Sequence, residues 1–382
     1  MRGAPAALVV ALVVALTACG RDVPEPAGAR EAPSGDAAAS ATQPGQSGQP
    51  SDKRPERWPG KKVALEGGAM GTKVSIIAYV HEADDEAAVR PKLEEALAEI
   101  RRLEALMTTW NEASELSAVN RAAGKAAVKV SPETLAVVKK SLWMAERSEG
   151  VFDISFEGMR GVWKFDHDLD PVVPSLAAVL EAKKRVDWRK IELDERASTL
   201  RLAAPGMRVS LGGIAKGYAV DIAQRHLRKV GLTSFFVQAG GDLYVAGRKP
   251  DGSRYRVGAR DPRGRGPEDF FAQVEVEDAA FSTAGDYERS FMHEGVRYHH
   301  IIDPRTGYPA KACRSVTVWA SDAFMADAVD DAVFILGPEK GLALVESLDG
   351  VGALVVDAQN RVHVSKRLEG KVTIVHPPTD AP

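Results

Sequence analysis

The sequence predicts an α+β fold in a single compact unit, preceded by a disordered tether. Three observations carry this. Strand-like runs and a few long amphipathic helices share the chain without strict strand–helix alternation. No Pro/Gly/Ser-rich linker interrupts the patterned stretch from Val63 to Val375, although 382 residues at roughly 150 per domain would allow two or three units. Apolar residues make up 45% of the chain, enough for an ordinary core, so disorder of the whole chain is excluded.

Taken in order, residues 1–18 read as a signal segment: Arg2, an apolar run of about 11 residues from Ala6 to Leu16, then Thr17-Ala18-Cys19. The run is too short for the roughly 20 residues that span a bilayer. Small residues directly before Cys19 are similar to a bacterial lipobox, which makes Cys19 the expected lipidation site and a lipid anchor the expected membrane connection. An ordinary signal peptide with an incidental cysteine is the alternative. Residues 19–60 are Ala/Pro/Gly/Ser-rich and predict a flexible linker with a reach of roughly 35 Å.

Val74–Tyr79 predicts a strand after the Gly67-Gly68 turn. Val89, Leu93, Ala96, Leu97, Ile100, Leu103 and Met107 fall at helical spacing. A second helix follows Ser131-Pro132, a helix-start signal. Beyond these the pattern predicts strand 207–211, helix 214–229, and strands 234–238, 243–247, 254–259, 272–277 and 315–320. Helices 323–336 and 338–348 and a hairpin over 351–364 complete it. The folded unit is expected over 61–375, with 376–382 as a tail.

Charge is nearly balanced, 50 Lys+Arg against 53 Asp+Glu, which argues against a broad nucleic-acid-binding surface. With Cys19 and Cys313 as the only cysteines, a disulfide scaffold and a Cys-rich zinc site are excluded. Three segments could carry chemistry. Leu211-Gly212-Gly213-Ile214-Ala215-Lys216-Gly217 is a glycine turn into a helix, suited to an anion such as pyrophosphate or simply to close packing. Asp327, Asp330 and Asp331 share one helix face, either as a site for a hard cation such as Mg²⁺ or Ca²⁺ or as a solvated acidic face. Tyr298–Pro309 brings His299 and His300 into an Asp-Pro/Thr-Gly turn, where a histidine could act as general base or cap the turn. Phe281–Arg289 and Gln238–Leu243 read as further polar turns.

These segments, with Glu66–Thr72, Met107–Trp110, Ser114–Ser117 and Phe152-Asp153, occur in the order found in the FAD:protein FMN transferases, the ApbE-type flavin transferase lipoproteins. The chain resembles that family over roughly residues 63–365. The resemblance implies a T-fold-like α+β domain with an internal strand/helix duplication. It also implies Mg²⁺-dependent transfer of FMN from FAD to a Thr or Ser of an acceptor flavoprotein, with release of AMP. By carry-over, Asp327, Asp330, the backbone carbonyl of Ala215, and Asp331 in place of a usual Thr would hold the metal. His300 would be the base, and Met70, Trp110, Val151, Phe152, Asp153, Gly212, Tyr218 and Ile302 would line FAD. Expected partners are subunits of membrane redox complexes of the Rnf or Na⁺-pumping NADH:quinone oxidoreductase type, on the periplasmic side of a bacterial membrane. A FAD pyrophosphatase and a non-catalytic flavin-binding lipoprotein are the competing readings.

Overall fold

The computed structural model describes residues 60–81, 84–165 and 169–381. The signal segment, Cys19 and nearly all of the expected linker lie outside the described residues. The centre of the fold is an eight-stranded sheet: β1 (Gly60–Ala69), β2 (Thr72–His81), β3 (Phe235–Ala239), β4 (Asp242–Ala246), β5 (Ala279–Gly285), β6 (Cys313–Ala320), β7 (Gly352–Asp357) and β8 (Val362–Val364). The strands stand side by side in chain order, and every neighbouring pair is antiparallel.

Four long helices surround one face: α1 (Glu86–Met107), α2 (Pro132–Arg147), α3 (Ala215–Lys229) and α4 (Ala323–Glu346). The reason is the pleat. In β2, Ile76 and Ala78 join Leu93, Ile100, Leu103, Val220 and Val333 in the main core, while Ile77 between them points into a second cluster with Phe236, Val257 and Phe281. That second face is covered by a small sheet of Tyr255–Arg260, Phe270–Val276 and Val372–Ile374. The hairpin-plus-helix unit β1–β2–α1 recurs as β5–β6–α4, the expected internal duplication. Among the described residues no helix is long and apolar enough to cross a membrane.

Four differences from the sequence reading have physical causes. Gly67-Gly68 is not a turn: it extends β1 opposite Val74 and Lys73, and the chain reverses at Met70-Gly71, whose left-handed φ values close the hairpin. The stretch 207–211 is extended but joins no sheet, because Asn120 clamps Val209 through both its amide atoms and Ser210 bonds Ile154. The expected polar turn at 281–285 is instead β5 in the middle of the sheet, its hydroxyls used internally. The expected tail is tied down: Thr379 donates twice to buried Asp261, and the His376 N–H reaches the Phe271 carbonyl. The break between the two C-terminal helices is where Gly337-Pro338 places it, as a kink at Gly337 (φ 80°) within α4.

Candidate functional site

The site forms where α3 crosses α4 beside the ends of β4 and β5. Gly217 makes the crossing possible: a Cβ there would lie 2.2 Å from the Ala323 carbonyl oxygen and 2.6 Å from Asp327 Cβ. Its N–H donates to Asp327 Oδ2 at 2.7 Å. One turn on, Asp221 accepts from the N–H groups of Ala323 and Phe324, so α3 caps the start of α4. Burial pushes that carboxyl up to about 6.

Asp327 and Asp330 are buried rather than solvated, and Asp331 is half-buried. Lys216 Nζ stands 3.3 Å from Asp327 Oδ1, 3.1 Å from Asp242 Oδ2 and 3.3 Å from the Gly212 carbonyl. Ser282 Oγ bridges Asp242 Oδ1 (2.7 Å) and Asp330 Oδ2 (2.6 Å). Four carboxylates thus surround one ammonium. Burial, then Asp327, pushes Asp242 up to about 7, with Lys216 opposing. Asp331 is likewise held near 7 by burial first, and Asp330 is raised well above the carboxylate range by burial and the neighbouring aspartates. For Lys216, burial works downward, but Asp242, Asp327 and Asp330 together hold its pKa above the usual value. The donor set is all oxygen, excess negative and buried, so it fits a hard divalent cation, which would relieve this repulsion.

The glycine turn borders the cluster. A Cβ on Gly213 would meet Asp331 Oδ2 at 3.0 Å and Phe152 at 3.8 Å, so the bare backbone runs between carboxylate and ring. Ala215, the expected backbone ligand, is the first residue of α3 and is buried. Gly213 is the turn residue against Asp331. α1, α2 and α4 each have a side-chain N-cap, whereas α3 has no side-chain cap bond at Ile214. Even so, the Ala215 N–H donates to the Leu211 carbonyl and the Gly217 N–H to Asp327, so of the first three the Lys216 N–H is the one left for another acceptor.

The two histidines separate cleanly. His299 Nε2 bonds the Ala310 carbonyl at 2.8 Å, and the ring packs edge-on to Phe334. His300 is held through its backbone N–H to Arg289, while its buried Nδ1 has no hydrogen-bond partner. Burial pushes His300 down to about 3, with Arg289, His299 and Lys216 adding to the effect. It is a neutral acceptor across the working pH range.

The expected flavin-lining residues divide. Met70 occupies a left-handed position (φ 55°) in the two-residue β1–β2 turn, beside Gly71 (φ 68°). Such a turn prefers Asn or Gly, so Met70 is a strained residue that a functional role would account for. Trp110 is 65% exposed, with the Arg160 guanidinium 4.1 Å from its ring centre. Val151 and Phe152 are buried, and Phe152 meets the glycine turn. The Asp153 carboxylate is spent on Ser155 and the Trp188 N–H, organising its own loop. Ile302 packs with Met159, Val179 and Tyr308. Tyr218 lies two residues from Lys216, about 200° round the helix, and packs on Phe324 rather than joining the cluster.

Asp242 and Ser282 were not singled out as charge partners in the sequence, though Asp242 left a signal. It heads a strand whose other four residues, Leu-Tyr-Val-Ala, are all apolar and buried, and a carboxylate there needs a partner. Cys313 is a buried free thiol in β6, pushed up to about 12 by burial, in keeping with a packing role.

The cluster predicts an unusual pH dependence of stability. Asp242 and Asp331 titrate near 7 when folded and near 3.8 when unfolded, so between these values the folded state binds more protons. Stability of the metal-free protein therefore falls as pH rises through that window. His300, lowered from 6.5 to about 3, works oppositely below pH 6.5 but is one group against three aspartates. The metal-free protein should melt at a higher temperature at pH 5.5 than at pH 8, by roughly 5 °C. Added MgCl₂ should recover most of the difference at pH 8. Equal melting at both pH values by circular dichroism would contradict the charge assignment.

Comparison with known proteins agrees with this arrangement. A 303-residue match at 35% identity links the chain to the FAD:protein FMN transferase of Treponema pallidum, covering 76% of this chain and 83% of that protein. The FAD:protein FMN transferase of Vibrio cholerae is 30% identical, over 76% and 86% of the two chains. The crystal structure of the ApbE protein of Thermotoga maritima superposes with a TM-score of 0.73 at 30% identity, over 81% of this chain and 99% of that one. The flavin transferase ApbE of Vibrio cholerae superposes with a TM-score of 0.72 at 27% identity, over 82% and 100%. The ApbE family model matches residues 70–355, which include Met70, the glycine turn, His300 and the aspartates of α4, and the chain belongs to the ApbE family.

Proposed function

We propose that this protein is a Mg²⁺-dependent FAD:protein FMN transferase that moves the FMN half of FAD onto a Thr or Ser of an acceptor flavoprotein and releases AMP. The observation that carries the reading is the buried Asp242–Asp327–Asp330–Asp331 cluster around Lys216, at the uncapped start of α3 and with the unpartnered Nδ1 of His300 in the same site. The names of the Treponema pallidum and Vibrio cholerae relatives support the same activity.

In this reading the pyrophosphate lies against the Gly212-Gly213 turn and the Lys216 N–H at the start of α3. Lys216 adds a fixed positive charge there. Asp327, Asp330 and Asp331 would hold the cation, which when bound neutralises the pyrophosphate and eases departure of AMP. The acceptor oxygen forms a bond to the FMN phosphorus as the phosphorus–oxygen bond to AMP breaks, and the hydroxyl proton passes to His300. Met70, Phe152 and the exposed Trp110 ring are the flat and apolar surfaces available to the isoalloxazine. Acceptors are subunits of membrane redox complexes of the Rnf or Na⁺-pumping NADH:quinone oxidoreductase type. The enzyme reaches them from the periplasmic side, anchored by lipid at Cys19.

The test uses purified full-length protein with FAD, MgCl₂ and a candidate acceptor subunit. Intact-mass analysis should show covalent FMN on the acceptor, matched one for one by AMP. AMP with free FMN and no covalent flavin on any acceptor would replace this reading with a FAD pyrophosphatase.

A further inference from the structure

We infer that Asp242 and Ser282 are positioning residues for the cation site, forming one strut between Lys216 and Asp330. The inference rests on the metal-dependent reading above. The two residues come from adjacent antiparallel strands: Leu243 pairs with Phe281, which sets Asp242 and Ser282 next to each other at the end of β4 and β5. Both are buried, Asp242 completely. The connection is continuous: Lys216 Nζ to Asp242 Oδ2 at 3.1 Å, Asp242 Oδ1 to Ser282 Oγ at 2.7 Å, and Ser282 Oγ to Asp330 Oδ2 at 2.6 Å.

The strut ties two helices to the sheet. Asp330 Oδ1 accepts the neighbouring Asp331 N–H, and Ser282 is the one hydrogen-bond partner of Oδ2 among the described residues. The Ser282 contact fixes the Asp330 carboxylate rotamer while leaving its other lone pairs to a cation, and Asp242, held by Lys216, keeps Ser282 in place. Groups that orient metal ligands in this way are typically worth 10–100-fold in metal affinity.

The experiment titrates metal-free full-length protein with Mn²⁺ and follows free Mn²⁺ by electron paramagnetic resonance, with no flavin present. Ser282→Ala changes no charge, so any loss of affinity comes from geometry. It should weaken Mn²⁺ binding by about 10–100-fold, and Ser282→Thr, which keeps the hydroxyl, should recover part of it. Asp242→Asn should weaken binding too, and the double variant should lose less than the two singles added, because they act as one strut. A purely structural role would lower the melting temperature and leave the affinity of the folded protein unchanged. Wild-type Mn²⁺ affinity in folded Ser282→Ala overturns the inference; if that variant does not fold, wild-type affinity in Asp242→Asn does so. Asp330→Asn separates the two readings. If the unaltered protein binds Mn²⁺ and Asp330→Asn does not, the metal site stands whatever Ser282 does. If the unaltered protein binds none, the metal reading and this inference fall together.

Discussion

Replacing His300 with alanine should slow FMN transfer by about 10²–10⁴-fold, the usual contribution of a positioned general base, while FAD still binds. Of the two adjacent histidines only this one is free to act. His299 is committed to the Ala310 carbonyl, whereas Nδ1 of His300 is buried without a partner. Lowered to about 3 by burial and by Arg289, His299 and Lys216, His300 is deprotonated over the whole neutral range. Lys216, one of the groups that depress it, is the one that would meet the pyrophosphate, so substrate binding should raise the basicity of His300 just when a proton must be taken. The sign of the pH effect follows. In kcat/KM, which reports the free enzyme, His300 should give no acid limb between pH 5 and 8. Any limb near pH 7 belongs to Asp242 and Asp331, which must lose protons before a cation binds, and it should move to lower pH as MgCl₂ is increased. Full transfer rate in His300→Ala would remove the residue from the base role. His299→Ala is the contrast: it should lose stability, with the folded fraction remaining active.

What the sequence made legible was local. The spacing of Asp327 and Asp330 fixed a shared helix face, Gly337-Pro338 fixed a break, and alternation fixed β2 and the later strands. Strand β5 was misread because Ser282 and Thr283 look like turn residues. In fact Ser282 serves the carboxylates, and Thr283 pairs with Thr317 across the sheet. Hydrophobic periodicity cannot show polar groups satisfied by partners far along the chain. The same limit hid Asp242, whose partners come from α3 and β5. The burial of the α4 aspartates was also invisible, since spacing reports which residues share a face and not what covers it.

Asp327→Asn should reduce transfer by about 100-fold or more at moderate MgCl₂, because the reading asks the cation site for several kcal/mol of charge stabilisation. The substitution is chosen to keep the fold. An amide oxygen can still accept the Gly217 N–H that locks α3 to α4, so the crossing survives while the charge is lost. Alanine would instead leave that buried N–H unsatisfied and confuse stability with chemistry. Losing the charge acts in two directions that kinetics can separate. Fewer carboxylates bind the cation, so the MgCl₂ concentration for half-maximal rate should rise. Lys216 also loses one of its two carboxylate contacts within 3.3 Å and turns further toward Asp242, so the KM for FAD should change as well. A rate partly restored by high MgCl₂, with the melting temperature near that of the unaltered protein, is the expected outcome. Unchanged rate and unchanged MgCl₂ dependence would remove Asp327 from the cation site and leave the acidic cluster without its proposed purpose.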